Sequence, residues 1–129
     1  SNVISINGGV QLDLMGQENA ESAGTRQLSG IGGQMDFLEG AFRSKGGKGF
    51  ICINSSRVTK DGERKSNIVA AIPSGSTVSA PRTMIDCVAT EYGVVRLMGK
   101  SLRERAEAMA SIAHPDFREE LMKYAREHF

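Results

Sequence analysis

The sequence predicts an α/β fold, an open sheet with helices packed on it. Three observations carry that reading. Short apolar or β-branched stretches, as at Val3-Ile4-Ser5-Ile6 and Phe50-Ile51-Cys52-Ile53, recur between glycine- and serine-rich breaks. Met35, Leu38 and Phe42 recur at helical spacing in the middle of the chain. The tail carries two further helical patterns, opened by the start signals Ser101-Leu102-Arg103-Glu104 and His114-Pro115.

Val3-Ile4-Ser5-Ile6 and Val10-Gln11-Leu12-Asp13-Leu14 read as two short strands joined at Asn7-Gly8-Gly9, a plain sheet pair. Residues 16–29 are polar and without apolar periodicity, which predicts a loop. A helix follows over about Gln34–Arg43, with Asp36 and Glu39 in its early turns, and Ser44-Lys45-Gly46-Gly47-Lys48-Gly49 breaks it. Phe50-Ile51-Cys52-Ile53-Asn54 reads as a buried strand. Lys60-Asp61-Gly62-Glu63-Arg64-Lys65 is a charged, solvated turn whose Asp-Gly pair signals a hairpin. Residues 68–72, 77–78 and 86–89 are strand-like and separated by Pro73, Gly75 and Pro81. Arg82, at the start of the last of these, reads as a surface residue.

In the tail, Ser101 and Glu104 form a capping box, each side chain taking an N–H that the helix leaves unpaired. Leu102, Ala106, Met109, Ala110 and Ala113 share one apolar face. Pro115 suits the first turn of the next helix, and His114 before it reads as a capping or buried hydrogen-bonding group rather than a general base. Phe117, Leu121, Tyr124 and Ala125 line a second face, while Arg103, Arg105 and Arg118 read as a solvated basic face with local ion pairs.

At 129 residues the chain is sized for one domain over residues 1–129, with an aliphatic core: it has no Trp and five Phe. Sixteen basic and fifteen acidic residues give a net charge of +1, so no long-range field draws nucleic acid. No apolar run approaches the ~20 residues of a spanning helix, and no signal peptide is evident, which predicts a cytoplasmic protein without a membrane partner. Cys52 and Cys87 lie in apolar strand-like runs without metal-binding spacing, so both are expected as buried free thiols, with no metal site.

Gly30-Ile31-Gly32-Gly33 followed by Gln34 is the stretch with most chemical content. A glycine turn opening onto a helix leaves unpaired N–H groups converging on one spot, which suits an anion or a developing oxyanion; the same spacing also serves as a plain connector. Neither a dinucleotide-binding GxGxxG after a strand nor a P-loop GK[ST] is present, which weakens a non-catalytic nucleotide- or phosphate-binding module as the alternative. Thr90-Glu91-Tyr92-Gly93 follows a strand directly, where open α/β sheets place their chemistry, although a carboxylate there also serves for pairing or capping.

Ser29-Gly30-Ile31-Gly32-Gly33-Gln34-Met35-Asp36-Phe37-Leu38-Glu39-Gly40-Ala41 resembles the glycine-loop signature of the acetyl-CoA hydrolase/transferase family, in the branch of 4-hydroxybutyrate and butyrate:acetate CoA-transferases. Residues 10–17, Thr90-Glu91-Tyr92-Gly93 and residues 99–118 resemble further family blocks in the same order, so the likeness covers nearly the whole chain. The match is to the C-terminal part of much longer chains, and implies that this chain is a fragment of such an enzyme.

The resemblance implies the α/β CoA-transferase fold, in which two similar domains form a cleft, and a reaction that passes CoA between carboxylic acids, or to water in the hydrolases. A glutamate attacks the acyl-CoA carbonyl, an acyl-glutamyl anhydride forms, and CoA returns to give a glutamyl-CoA thioester. It implies a backbone N–H donor to the oxyanion at Gly33, with Gly32 and Gln34 beside it, active-site support from Glu91, and a coenzyme contact at Lys60. The family's nucleophilic glutamate and a second oxyanion donor, an asparagine, lie upstream of the matched blocks, so the chain alone is expected to be inactive. Acyl-CoA and short carboxylates are the expected substrates, with no covalently held cofactor. The domain is expected to expose an apolar face that the missing N-terminal domain covers, and to belong to a homo-oligomer.

Overall fold

The computed structural model describes residues 2–129. Its strands are β1 (Ile4–Gly8), β2 (Gln11–Asp13), β3 (Glu18–Asn19), β4 (Ser22–Ala23), β5 (Arg26–Gln27), β6 (Lys48–Cys52), β7 (Ser56–Val58), β8 (Arg64–Ser66), β9 (Ile68–Val69), β10 (Cys87–Thr90) and β11 (Gly93–Arg96). Its α-helices are α1 (Gln34–Arg43), α2 (Leu102–Ser111) and α3 (Pro115–His128), and a 3₁₀ turn spans Arg82–Met84. The main sheet runs β1-β6-β10-β11, with β1, β6 and β10 parallel and β11 antiparallel at the edge. A smaller sheet, β3-β2-β9, adds to the core through Leu12 and Ile68, both fully buried.

The expected α/β class holds, and several elements differ in detail. The first two strands are not a pair: β1 joins β6, and β2 turns away to join β3 and β9. A parallel partner needs a crossover, and α1 supplies it between β1 and β6. Residues 16–29 are not a bare loop but hold β3, β4 and β5, each two residues long. Side chains take the place of ladder bonds there: Asn19 Oδ1 accepts from the Glu21 and Ser22 N–H groups, both at 3.0 Å. The expected strand at Thr77-Val78 does not form.

One face of the main sheet is packed and the other is open over much of its extent, although Cys87 on it is buried. Ser5, Ile51 and Val88 point to the packed side, where a Cβ on Gly49 would lie 3.1 Å from Leu38 of α1. Ile112, just after α2, covers the same side, and its carbonyl accepts from the Thr90 hydroxyl at 2.7 Å. The opposite side carries Ile4, Ile6 and Val94, exposed at 61%, 70% and 61%. Cys52 lies on that open side and is exposed, which corrects the expectation that both thiols are buried; Cys87 is buried. Parallel sheets are ordinarily covered on both faces, and here Ile4, Ile6 and Val94 are left exposed.

The tail follows its local signals. The Ser101 hydroxyl accepts from the Glu104 N–H at 3.2 Å, and the Glu104 carboxylate accepts from the Ser101 N–H at 3.0 Å. His114 Nδ1 accepts from the Asp116 N–H at 3.1 Å, the capping role expected, with Pro115 in the first turn of α3. Ala106, Met109, Ala110 and Ala113 are buried, but Leu102 is 41% exposed. Arg105 overturns the solvated basic face: it is buried, and its guanidinium donates to the carbonyls of Met15, Leu97 and Arg82. Arg103 and Arg118 likewise bond backbone carbonyls, those of Arg126 and Ala113.

Candidate functional site

The carboxyl edge of the parallel strands collects the residues with chemical potential. β1 ends at Gly8, β6 at Cys52 and β10 at Thr90, and each strand continues into a loop on that edge. Neighbouring loops are tied together there: the Gly9 N–H donates to the Cys52 carbonyl at 3.4 Å and the Ile53 N–H to the Ala89 carbonyl at 3.1 Å. The crossover from β1 to β6 runs α1 back along the sheet. Its last turn lies by the start of β1, where the Val3 N–H donates to the Ser44 hydroxyl at 3.0 Å. The first turn of α1 therefore opens at the carboxyl edge, where open α/β sheets bind ligands.

Gly33 is the N-cap of α1 and brings no side chain to cap it. The first N–H groups of the helix have no acceptor within it, and they carry the positive end of its dipole. Gly32 needs to be glycine, since its φ is +59°, a left-handed conformation costly to any residue with a Cβ. Nothing lies within 4 Å of a Cβ placed on Gly30 or Gly32, while one on Gly33 would meet the Phe37 ring at 3.4 Å. Gln34 differs from its exposed neighbours: it is 8% exposed and turned into the core.

Glu91 directly follows β10 and is exposed, with Oε1 accepting from the Ser55 N–H at 2.7 Å. Slight burial pushes its carboxyl up, but the Ser55 hydrogen bond and nearby His114 outweigh that and hold it below the usual carboxylate range. Glu91 is thus an anion at neutral pH, with one oxygen fixed by backbone. β6 separates β1 from β10, which puts about 10 Å between those two strands at this edge. The first turn of α1 and Glu91 both lie at the carboxyl edge of the parallel strands. Lys60 is exposed at the tip of the hairpin made by β7 and β8, whose turn closes through the Thr59 N–H to the Glu63 carbonyl at 2.8 Å. That hairpin springs from the end of β6, but Lys60 contacts neither Glu91 nor the glycine loop in the structure.

Sequence reasoning missed two buried carboxyls beneath the edge. Asp13 shapes the turn after β2, its Oδ1 accepting from the Met15 and Gln17 N–H groups at 3.0 and 2.9 Å. Burial raises its carboxyl, and the hydrogen bonds from Gln17, Met15 and Gly16 offset part of that. Glu18, fully buried, accepts a hydrogen bond from the Gln34 carboxamide. Burial pushes Glu18 up to about 7 although the Gln34 bond pulls it down. A polar run without periodicity gave no sign that either carboxyl would be inside. A groove of about 340 Å³ between β9 and α3, lined by Ile68, Val69, Phe117, Leu121 and Tyr124, includes none of the candidate site residues.

Residues 1–125 match the acetyl-CoA hydrolase/transferase C-terminal domain. The chain is 49% identical over 128 residues to a 4-hydroxybutyrate coenzyme A transferase of Clostridium kluyveri, covering 99% of this chain and 29% of that protein. It is 48% identical over 124 residues to a butyryl-CoA:acetate CoA-transferase of Anaerostipes caccae, covering 96% of this chain and 28% of that one. The crystal structure of RipA from Yersinia pestis superposes with a TM-score of 0.82 at 40% identity, over 96% of this chain and 27% of RipA. The chain thus spans less than a third of the length of these relatives. No helix among the described residues is long and apolar enough to cross a membrane. With a match running nearly end to end on a fold that these relatives share, the chain belongs to the acetyl-CoA hydrolase/transferase family, in its C-terminal domain.

Proposed function

We propose that this chain is the single C-terminal domain, residues 1–129, of a longer CoA-transferase. That enzyme moves CoA between a short-chain acyl-CoA and a carboxylate of the 4-hydroxybutyrate or butyrate:acetate kind. The observation that carries the reading is the start of α1, without a side-chain cap, on the same sheet edge as the Glu91 carboxylate. A carboxylate nucleophile forms a tetrahedral oxyanion, and such a centre needs fixed donors in a site that excludes water.

In this reading a glutamate upstream of this chain attacks the acyl-CoA carbonyl. The oxyanion takes the Gly33 N–H, the thiolate of CoA leaves, and an acyl-glutamyl anhydride remains. The thiolate then attacks the glutamyl carbonyl, releasing the first carboxylate and leaving a glutamyl-CoA thioester. The acceptor carboxylate reverses the sequence and departs with CoA. Gly32 and Gln34 set the loop, Glu91 holds and orients the upstream nucleophile and the incoming acid, and Lys60 meets the phosphate or pantetheine of CoA. The open sheet face with Ile4, Ile6 and Val94 packs against the preceding part of the longer chain.

The test is CoA transfer by the full-length protein from acetyl-CoA to a panel of short carboxylates, with free thiol followed in the same samples. New acyl-CoA without net thiol release supports the transferase. Thiol release alone indicates the family's hydrolase chemistry instead, and neither product refutes both.

A further inference from the structure

Glu18 has no part in the chemistry above, yet it is the buried group that touches the glycine loop's helix. Its backbone is locked from two sides. It pairs with Leu12 across the small sheet, and its carbonyl accepts from the Ser79 and Ala80 N–H groups at 2.7 and 3.2 Å. From that fixed point Oε1 accepts from the Gln34 side chain, the first side chain of α1 and the one that follows the side-chain-free Gly33. Oε2 has no hydrogen-bond partner, and a Cβ on Gly9 would lie 2.6 Å from it, so the turn after β1 is cut away to admit the carboxyl. Gln34 from α1 bonds it and Gly9 borders it, with the Ile51 and Ile53 side chains flanking Gly9; none of these is charged. On β2, Asp13 turns to Gln17 and Met15; Asp36 and Glu39 on α1 are exposed.

We propose that Glu18 is a positioning residue for the glycine loop: by gripping Gln34 from inside the core it fixes the start of α1 and the direction of the Gly33 N–H. The inference rests on the CoA-transfer reading. A mispointed donor weakens a tetrahedral intermediate more than it weakens the bound substrate, so the effect falls on kcat rather than KM. The state of Glu18 matters as well. Neutral, it only holds Gln34. Ionised, it sets a negative charge beneath the amides that would receive the oxyanion, and works against them.

The experiment compares the full-length wild type with Glu18→Ala, Glu18→Gln and Gln34→Ala. We expect Glu18→Ala to lower kcat about ten- to a hundredfold with KM for acyl-CoA nearly unchanged. Glu18→Gln, which keeps an acceptor for Gln34, recovers most of that loss. Adding Gln34→Ala to Glu18→Ala costs little more, as expected of residues that act through one bond. Wild-type kcat declines as pH rises through about 7, and the Glu18→Gln variant lacks that limb. Unchanged kcat in Glu18→Ala, or the same limb in Glu18→Gln, overturns the proposal. An inactive wild type would instead refute the CoA-transfer reading. The coupling is then decided by the Gly32, Gly33 and Gln34 amide resonances. A midpoint near 7 that Glu18→Gln abolishes supports the grip, and flat shifts refute it.

Discussion

Replacing Arg105 with methionine tests how the loops behind the sheet are held. Arg105 is 7% exposed and its guanidinium bonds backbone carbonyls, with the Asp13 charge nearby but not paired to it. Nε and Nη2 donate to the Met15 carbonyl at 3.1 and 3.0 Å, Nη2 also to Arg82 at 2.8 Å, and Nη1 to Leu97 at 3.2 Å. Three segments distant in sequence therefore meet on one side chain of α2. Burial lowers its pKa, and the neighbouring Arg82 charge adds to that, but an arginine stays charged at neutral pH. Hydrogen bonds to a charged group contribute about 1.5–3 kcal/mol each, and desolvating the guanidinium costs several kcal/mol in the opposite sense. Methionine fills much of the volume but leaves the Met15 and Arg82 carbonyls without that donor, each costing about 1–3 kcal/mol unless water reaches it, while the Leu97 carbonyl keeps the Lys100 N–H at 3.2 Å. The net expectation is a loss of about 3–5 kcal/mol. Arg105→Lys, with one compact ammonium, should lose about 2 kcal/mol, since it cannot span three carbonyls. The assay is urea unfolding of the full-length protein with hydrogen exchange read on residues 102–111 and 12–17. Arg105→Met within about 0.5 kcal/mol of wild type, with unchanged protection at both segments, would refute the clasp.

Gly32→Ala forces a left-handed alanine, which costs about 1–2 kcal/mol, whereas Gly33→Ala meets only the Phe37 ring at 3.4 Å and its φ of −93° suits any residue. Gly32→Ala should therefore lower both melting temperature and kcat, while Gly33→Ala should leave the melting temperature nearly unchanged. Glu18 makes stability fall with pH. Its folded pKa, about 7, lies above the unfolded value of 4.5, so the stability it adds is complete below 4.5 and is lost as pH rises through 7. The span is on the order of 3 kcal/mol, and urea midpoints of Glu18→Gln across that window should be flatter than those of wild type. Maleimide labelling tests the open face: Cys52 should react readily in this chain alone and slowly in the full-length protein, with Cys87 slow in both. Equal Cys52 rates in the two would mean that nothing in the longer chain covers the face.

What the sequence made legible was what local chemistry determines. The Ser101–Glu104 capping box, Pro115 in its first turn, the Asp61-Gly62 hairpin and the boundaries of α1 all follow from interactions within a few residues. The partner of β1 was not legible, because a parallel pairing is made across a crossover of some forty residues rather than through the adjoining turn. The strands of residues 18–27 escaped notice because polar side chains such as Asn19 and Ser79 hold them, leaving no apolar alternation to read. Cys52 reads as buried in an apolar run, yet it lies at an open part of its sheet face beside the exposed Ile4 and Ile6, while Cys87 on the same face is buried. Arg105 and Glu18 look like surface charges in sequence, and only the carbonyls and the carboxamide they meet explain their burial. For the site, the glycine loop and Glu91 stood out as a motif and a strand end, whereas the carboxyl behind the loop gave no pattern at all.

The most direct test of the central claim is the site of covalent attachment when the full-length protein meets acyl-CoA without an acceptor, read by mass spectrometry after proteolysis. The account predicts one CoA-mass adduct on a glutamate that precedes Ser1 in the full-length chain, with no peptide of residues 1–129 modified. An adduct on Glu91, or none on the protein while transfer proceeds, would contradict it.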